Sequence, residues 1–195
     1  MTVTLLESSR AKRLKAATVQ AHDALDTRIM AAAPFASRER YLRFLAMQHG
    51  FHHDIAALYR NPALAGVVPD LAGRARLGAI EADFADLGAV PPPVAPPLFG
   101  LDVDLPTAFG WLYVAEGSNL GAAFLAKEAR ALGLSDQFGA RHLAGHPDGR
   151  ALHWRGFTAA LDLLALDDAG EGRVIAGAVA AFGRVHGLVD RVFDA

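Results

Sequence analysis

Apolar residues recur at helical spacing along almost the whole chain, and no stretch shows the strict alternation that marks a half-buried strand. Alanine is abundant, which favours helices because its side chain loses no rotamer freedom there. We therefore expect an all-α fold. A chain of 195 residues with 52% hydrophobic side chains can bury one sizeable core, so we expect a single domain over residues 1–195, without internal repeats.

Capping residues and helix breakers divide the chain into about six predicted helices. Ser8 or Ser9 opens the first, Ser37 the second and Asp70 the third, while the pair Asn61-Pro62 ends the second. The predicted ranges are about 8–30, 37–59, 70–87, 106–132, 153–166 and 170–193.

A proline-rich connection joins the third and fourth predicted helices, over residues 88–106. Its prolines exclude a helix and favour an extended crossing. A free linker would be more polar, so we expect the connection to lie within the domain and against the core. The apolar residues that carry this expectation are Leu98, Phe99, Leu101 and Leu105.

Charge and cysteine content narrow the chemistry. Lys and Arg total 19 against 21 Asp and Glu, a formal net charge of −2, so nothing predicts binding to nucleic acid or to an anionic membrane. With no cysteine, thiolate nucleophiles, disulfides and iron–sulfur clusters are excluded. The N-terminal segment lacks the features of a signal peptide and no apolar run is long enough to span a bilayer, so we expect a soluble cytoplasmic protein.

The fourth predicted helix carries three glycines on one face. At 100° per residue, Gly110, Gly117 and Gly121 fall within about 40° of each other. Each glycine inside a helix costs about 1 kcal/mol relative to alanine, so the bare backbone must serve a close approach. Either a partner helix packs tightly there, or a planar ligand lies against the backbone.

His22 lies at the edge of the apolar stripe of the first predicted helix, so its imidazole should point partly into the core. Asp26, one turn later, could accept the Nδ1 proton and orient the ring. Lys15 lies two turns earlier on the same face. A ligand bound at His22 could therefore place an anionic edge on Lys15.

The other histidines give weaker signals. His49 and His53 have the one-turn spacing that can bind a divalent metal, but no matching carboxylate–histidine helix appears elsewhere. We therefore interpret His49, His52 and His53 as a solvated or partly packed face. The sequence assigns no role to His142, His146 and His153.

Together these residues resemble the heme oxygenases, most closely the bacterial biliverdin-producing enzymes. The resemblance rests on His22 with a carboxylate one turn later, on the segment GWLYVAEGSNLGAAF at 110–124, and on RVI at 173–175 followed by Ala181-Phe182. It covers nearly the whole chain, and its middle segment is the most specific part. It implies a multihelical bundle with heme between a proximal helix and a kinked distal helix, and so favours the ligand interpretation of the glycines.

The resemblance also implies roles for individual residues. It makes His22 the proximal ligand of the heme iron and Asp26 the hydrogen-bonding partner of that histidine. It places Gly117 and Gly121 where the distal helix bends over heme, with Ser118 helping to position oxygen and water. It assigns the remaining heme contacts, to propionates and pocket wall, to Lys15, Tyr113, Arg155 and Phe182.

The implied reaction opens heme to biliverdin, carbon monoxide and ferrous iron. Heme b is then both cofactor and substrate, and oxygen and electrons come from outside, the electrons from a ferredoxin, a flavodoxin or a reductase. A bilin-binding photoreceptor is a candidate recipient of the product.

Two alternatives remain open. Ser118 replaces the aspartate of the animal enzymes and Asp26 is one methylene shorter than the family's glutamate, so a heme carrier or sensor on the same fold is the first. The second is a non-heme enzyme on a related helical bundle, which would need a nucleophile or a full carboxylate–histidine set that the sequence does not show. Turnover of heme separates the first alternative from an enzyme.

Overall fold

A computed structural model describes residues 9–194, and this range is helical with no β-strand. The all-α prediction is confirmed. Three short 3₁₀ turns, at Leu58–Arg60, Ala72–Arg74 and Arg141–Leu143, lie between the helices. The α-helices are α1 (Arg10–Ala31), α2 (Arg38–Asp54), α3 (Pro62–Ala65), α4 (Leu77–Asp86), α5 (Leu105–Arg130), α6 (Arg150–Asp162) and α7 (Asp168–Phe193).

Several helix starts follow the predicted caps. Ser9 accepts a hydrogen bond from the Lys12 amide, and Ser37 accepts one from the Arg40 amide; the alternative cap Ser8 lies outside the described residues. Asp104 caps α5 in the same way. Each side chain satisfies a backbone N–H that the helix itself leaves without a partner.

Two predicted boundaries are wrong. The second helix ends at Asp54 rather than near Tyr59, and Asn61 opens the short α3 by accepting hydrogen bonds from the Ala63 and Leu64 amides. The third predicted helix begins at Leu77, not after Asp70, because Asp70 has a φ of +50° in a turn. The Asn61-Pro62 pair was interpreted as the end of the second helix. It instead starts α3, since proline is well suited to the first helical position.

The fifth predicted helix also starts earlier than expected. α6 begins at Arg150 and ends at Asp162, where the sequence pattern predicted about 153–166. Its cap is Gly149 with a φ of +92°, a conformation that glycine adopts without strain. A glycine cap offers no side-chain acceptor, so the usual Ser, Thr, Asp or Asn signal was absent.

The proline-rich connection only partly lies against the core. Phe99 packs edge-on to Trp111 with ring centroids 5.0 Å apart, and Leu105 is half-buried at the start of α5. Leu98 and Leu101 are 52% and 58% exposed, so the expectation was wrong for these two. Surface leucines are common because a protein has too little polar surface to cover itself.

α7 is the helix around which the others are arranged. It packs against α1, α2 and α5, and ion pairs tie it along its length. Arg10 reaches Glu171 at 2.6 Å, Arg28 reaches Asp190 at 2.8 Å, and Arg184 reaches Asp54 at 2.7 Å. α1 therefore runs beside α7 in the same direction.

Gly110 lies where α5 crosses α7. A Cβ atom on Gly110 would lie 2.2 Å from the Val174 carbonyl oxygen, and one on Gly177 would lie 2.7 Å from the Thr107 carbonyl oxygen. Backbone cannot move aside as a flexible side chain can. The packing interpretation of the glycine face is thus correct for Gly110.

We expect Gly110→Ala to lower the free energy of unfolding by about 1–3 kcal/mol, because the added methyl group overlaps the α7 backbone. Urea unfolding followed by circular dichroism measures the change. Gly117→Ala is the control, since its new Cβ would meet only Trp154 at 3.9 Å. Equal stability of the two variants would contradict the proposed crossing.

Candidate functional site

Gly117 and Gly121 behave differently from Gly110. A Cβ atom on Gly117 would meet only the Trp154 ring, at 3.9 Å, and one on Gly121 would meet nothing within 4 Å. Among the described residues, α6 approaches this turn of α5 only through the Trp154 side chain, and no helix backbone comes as close to it as α7 comes to Gly110. The ligand interpretation is therefore favoured for these two glycines. α5 is one uninterrupted helix from Leu105 to Arg130, and a bend at the glycines stays a prediction.

His22 lies on the surface of α1, so the prediction that its ring points partly into the core is wrong. Its side chain is 56% exposed and meets the edge of Phe182 on α7, with ring centroids 5.9 Å apart. Nδ1 lies 3.5 Å from an Asp23 oxygen and 3.6 Å from an Asp26 oxygen. Within residues 9–194 the other ring nitrogen, Nε2, makes no hydrogen bond.

A contact between Thr18 and Tyr113 joins α1 to α5 beside these residues. Tyr113 is half-buried, which raises the pKa of its phenol, and a hydrogen bond with Thr18 acts in the opposite direction. Its ring centroid also lies 5.7 Å from that of Trp154. His22 lies one turn after Thr18, and Gly117 lies one turn after Tyr113. The His22 imidazole and the bare backbone at Gly117 are thus both one turn from a shared contact.

The remaining predicted site residues are Lys15, Arg155 and Ser118. Among residues 9–194, no hydrogen bond or ion pair joins them to one another. Lys15 and Arg155 are exposed, and neither makes an ion pair within the described part of the chain. Ser118 donates its hydroxyl hydrogen to the Ala115 carbonyl at 2.7 Å. Its oxygen can therefore accept a hydrogen bond but has no proton left to give.

Comparison with known proteins decides the family. The model of the family described as heme oxygenase matches residues 8–191. The chain belongs to the heme oxygenase family. It is 46% identical to heme oxygenase PigA of Pseudomonas aeruginosa over 187 residues, which covers 96% of this chain and 94% of that protein. It is therefore a heme-degrading oxidoreductase that binds heme.

A solved structure agrees with this assignment. The NO- and CO-bound heme oxygenase of Neisseria meningitidis matches with a TM-score of 0.89 and 41% identity, covering 95% of this chain and 92% of that one. The predicted heme-oxygenase-like fold is confirmed. Among the helices of residues 9–194, none has the length and hydropathy needed to cross a bilayer.

The residues present fit heme. Neutral imidazole is a suitable axial ligand for the iron, and Nε2 of His22 has no competing partner among residues 9–194. The bare backbone at Gly117 and Gly121 leaves room for a flat macrocycle. Lys15 and Arg155 are cations that could pair with its carboxylates.

A buried ion pair behind the glycines in this heme oxygenase was missed by the sequence analysis. The Arg74 guanidinium lies 2.7 Å from a Glu116 oxygen, with both side chains at most 2% exposed, and the Tyr59 hydroxyl donates to the other oxygen at 3.3 Å. Burial raises the pKa of Glu116, and Arg74 opposes this rise. A glutamate inside the apolar run before Gly117 was the available signal, but nothing in the sequence identified Arg74 as its partner.

Of the two alternatives for the histidines of α2, solvated or partly packed, the structure favours packing. His49 and His52 are 5% and 3% exposed, and His53 is half-buried. In the described part of the chain, no group of three candidate metal ligands includes them or His53. His142, to which the sequence assigned no role, is buried with its Nδ1 atom 2.6 Å from Asp83. These side chains are packed within the protein.

We expect the burial of His52 to make stability fall as the pH drops. Burial lowers the pKa of His52 to about 3, with a further contribution from His142. The unfolded chain protonates this histidine near its ordinary pKa of about 6.5, so the unfolded state binds more protons between the two values. The stabilisation is thus complete above about pH 6.5 and is lost progressively below it.

Thermal unfolding between about pH 5 and 7 measures this dependence. His52→Asn should flatten the slope of stability against pH, whereas His22→Asn, at an exposed position, should leave it unchanged. An unchanged slope in His52→Asn would contradict the role given to this histidine.

Proposed function

We propose that this heme oxygenase opens heme to biliverdin, carbon monoxide and ferrous iron. The reaction consumes oxygen and electrons from an external ferredoxin, flavodoxin or reductase. The observation that carries the proposal is the pairing of an exposed His22 with the open backbone of Gly117 and Gly121. His22 and Gly117 each lie one turn from the Thr18–Tyr113 contact, and Gly121 lies one turn further along α5. When bound, heme supplies both the iron that binds oxygen and the porphyrin carbon that is oxidised.

On the proximal side, His22 is the iron ligand. Edge contact with Phe182 restricts rotation of the imidazole. An acidic partner that accepts the Nδ1 proton fixes the tautomer and makes the other nitrogen a better ligand. Asp23 and Asp26 lie at nearly equal distances from Nδ1, so either carboxylate can take this position.

On the distal side, Gly117 and Gly121 let α5 lie close to the macrocycle. Their backbone excludes side-chain bulk at the place where oxygen must be directed toward one carbon, and this positioning replaces acid and base catalysis by side chains. Ser118 can accept a hydrogen bond from water through its free lone pairs. A water held in this way could deliver a proton.

Lys15 and Arg155 would hold the propionates of heme, with Tyr113 beside them. Charge-assisted hydrogen bonds are short and strong, so these two cations would orient the group and thereby select the carbon that is oxidised. The biliverdin isomer is then available to a bilin-binding photoreceptor as a product recipient.

An absorption time course of the purified protein with one equivalent of hemin tests the proposal. After a reductant or reductase is added in air, with catalase present to remove free peroxide, we expect the Soret band to fall and biliverdin absorption to grow. Chromatography identifies the isomer. A stable histidine-ligated spectrum that never bleaches would overturn the proposal and indicate a heme carrier or sensor.

We expect His22→Ala to lose the histidine-ligated spectrum of bound heme, because the variant lacks the axial nitrogen. The side chain is exposed, so the variant should keep its thermal stability. His186→Ala is a matched control, since His186 is also about half exposed and lies beside an aspartate. If the spectrum of His22→Ala were unchanged, the ligand would have to be another histidine.

A further inference from the structure

Asp70, His146 and His153 come together from three separate segments of the chain. One ligand atom from each lies within 4.8 Å of the others. The two imidazole rings are stacked, with centroids 4.3 Å apart and planes 9° apart, and His146 Nε2 lies 4.0 Å from an Asp70 oxygen. Two imidazoles and one carboxylate are a common ligand set for divalent transition metals.

The state of His153 also points to a ligand. Its Nε2 atom is buried and makes no hydrogen bond in the described part of the chain. A buried polar atom without a partner costs about 1–3 kcal/mol, so such atoms normally contact water, an ion or another group. A metal ion at the cluster would provide the missing partner.

His146 has a further partner suited to a metal ligand. Its Nδ1 atom accepts a hydrogen bond from the Asp148 amide at 3.2 Å and lies 3.7 Å from the Asp148 carboxylate. With Nδ1 accepting, the ring proton lies on Nε2. Metal binding at Nε2 therefore moves that proton to Nδ1, which gives up the bond from the Asp148 amide and donates to the Asp148 carboxylate instead. This carboxylate–histidine–metal arrangement is usual at metal sites.

We propose that Asp70, His146 and His153 bind a divalent first-row metal ion, and that ferrous iron released by heme opening is the ion they receive. The assignment of the site rests on the cluster itself, and the assignment of ferrous iron rests on the proposed function. Tetrahedral coordination at about 2.0–2.1 Å places ligand atoms about 3.3 Å apart. Side-chain rotation can close the remaining distance.

The position of the cluster supports ferrous iron. His153 immediately precedes Trp154, whose ring lies under Gly117. His146 and His153 also line one cavity with Asn119 and Leu120, which lie between Gly117 and Gly121 on α5. Iron released beside that segment would therefore find these ligands nearby.

Nearby arginines oppose binding of a cation at the site. Arg74 and Arg76 both act on His153 electrostatically, while Asp70 acts in the opposite sense. Arg74 is neutralised by Glu116, but Arg76 makes no ion pair among the described residues. Its positive charge disfavours a cation, so we expect binding to be weak enough for release. A transit site for a product ion requires such reversibility.

Titration of the heme-free protein with Co²⁺ tests the site, because four-coordinate Co²⁺ has strong visible absorption bands. We expect one saturable site, and we expect His146→Gln, His153→Gln and Asp70→Asn each to weaken it by more than about tenfold, since even loss of a supporting partner costs that much. His22→Ala and His186→Gln are controls and should bind Co²⁺ normally. Anaerobic Fe²⁺ should compete with Co²⁺.

Absence of saturable Co²⁺ binding, or its persistence in all three ligand variants, would overturn the site. Loss of binding in His22→Ala would place the ion at the heme ligand instead. During turnover, a ferrous chelator should trap iron earlier in His153→Gln than in the wild type while biliverdin forms at the same rate. Equal trapping times would overturn the assignment of ferrous iron. Co²⁺ binding without heme degradation would refute the proposed function and leave the site standing.

Discussion

Biliverdin formation should be abolished in Gly121→Leu, although the variant still folds and still binds hemin. Nothing lies within 4 Å of the position a Cβ atom would take, so a leucine can start from the backbone without a clash and extend toward the proposed heme space. Leucine is also a better helix former than glycine, by up to about 1 kcal/mol. Stability should therefore stay the same or rise while turnover is lost.

Gly187→Leu is the matched control. Gly187 is an exposed glycine inside α7, and a Cβ atom there also meets nothing within 4 Å. This variant should degrade heme at the wild-type rate. The hemin absorption time course compares the three proteins, and thermal unfolding confirms that each is folded. Normal turnover in Gly121→Leu would argue strongly against the distal role of the glycines.

Glu116→Gln should lower the free energy of unfolding by about 3–5 kcal/mol, because it leaves the buried Arg74 guanidinium without its counter-charge. The two side chains are 2% and 1% exposed, so water cannot replace the lost carboxylate. Glutamine keeps the shape of the side chain, and the change therefore isolates the charge. Urea unfolding measures the difference.

Glu39→Gln is its surface counterpart. Glu39 pairs with Arg43 at 3.1 Å on the exposed side of α2, and such a pair contributes about 0.5 kcal/mol or less. The double variant Arg74→Met with Glu116→Leu should recover much of the loss, since it leaves no buried charge unpaired. If Glu116→Gln and Glu39→Gln cost the same, the buried pair would have no special structural importance.

Local capping chemistry explains which parts of the fold the sequence could predict. Ser37 precedes α2 and accepts the expected backbone hydrogen bond. The start of α5, predicted near residue 106 without a cap, is Leu105, so both starts were found within about two residues. Asp70 looks like the same signal, but it has a left-handed backbone and opens no α-helix. Aspartate is one of the few residues that adopt this conformation readily. The residue type alone therefore does not distinguish a helix cap from a left-handed turn.

The glycine face shows the limit for the site. Helical geometry correctly predicted that Gly110, Gly117 and Gly121 share a direction, but only the position of α7 determines that Gly110 is covered and the other two are not. Likewise, only the tertiary structure shows that Arg74 pairs with Glu116, because the two residues are 42 positions apart in the sequence. Such contacts depend on tertiary packing, which no local pattern encodes.

The central position of α7 has a consequence for biosynthesis. Ribosomes make α7 after α1–α6, yet α1, α2 and α5 bury their apolar surfaces against it. Until α7 emerges, the nascent chain exposes the apolar surface that Val174, Ala178 and Val189 later cover, and exposed surface of this kind promotes aggregation. We therefore expect the core to fold only after α7 has been translated. Until then, the earlier helices would depend on chaperones to avoid aggregation.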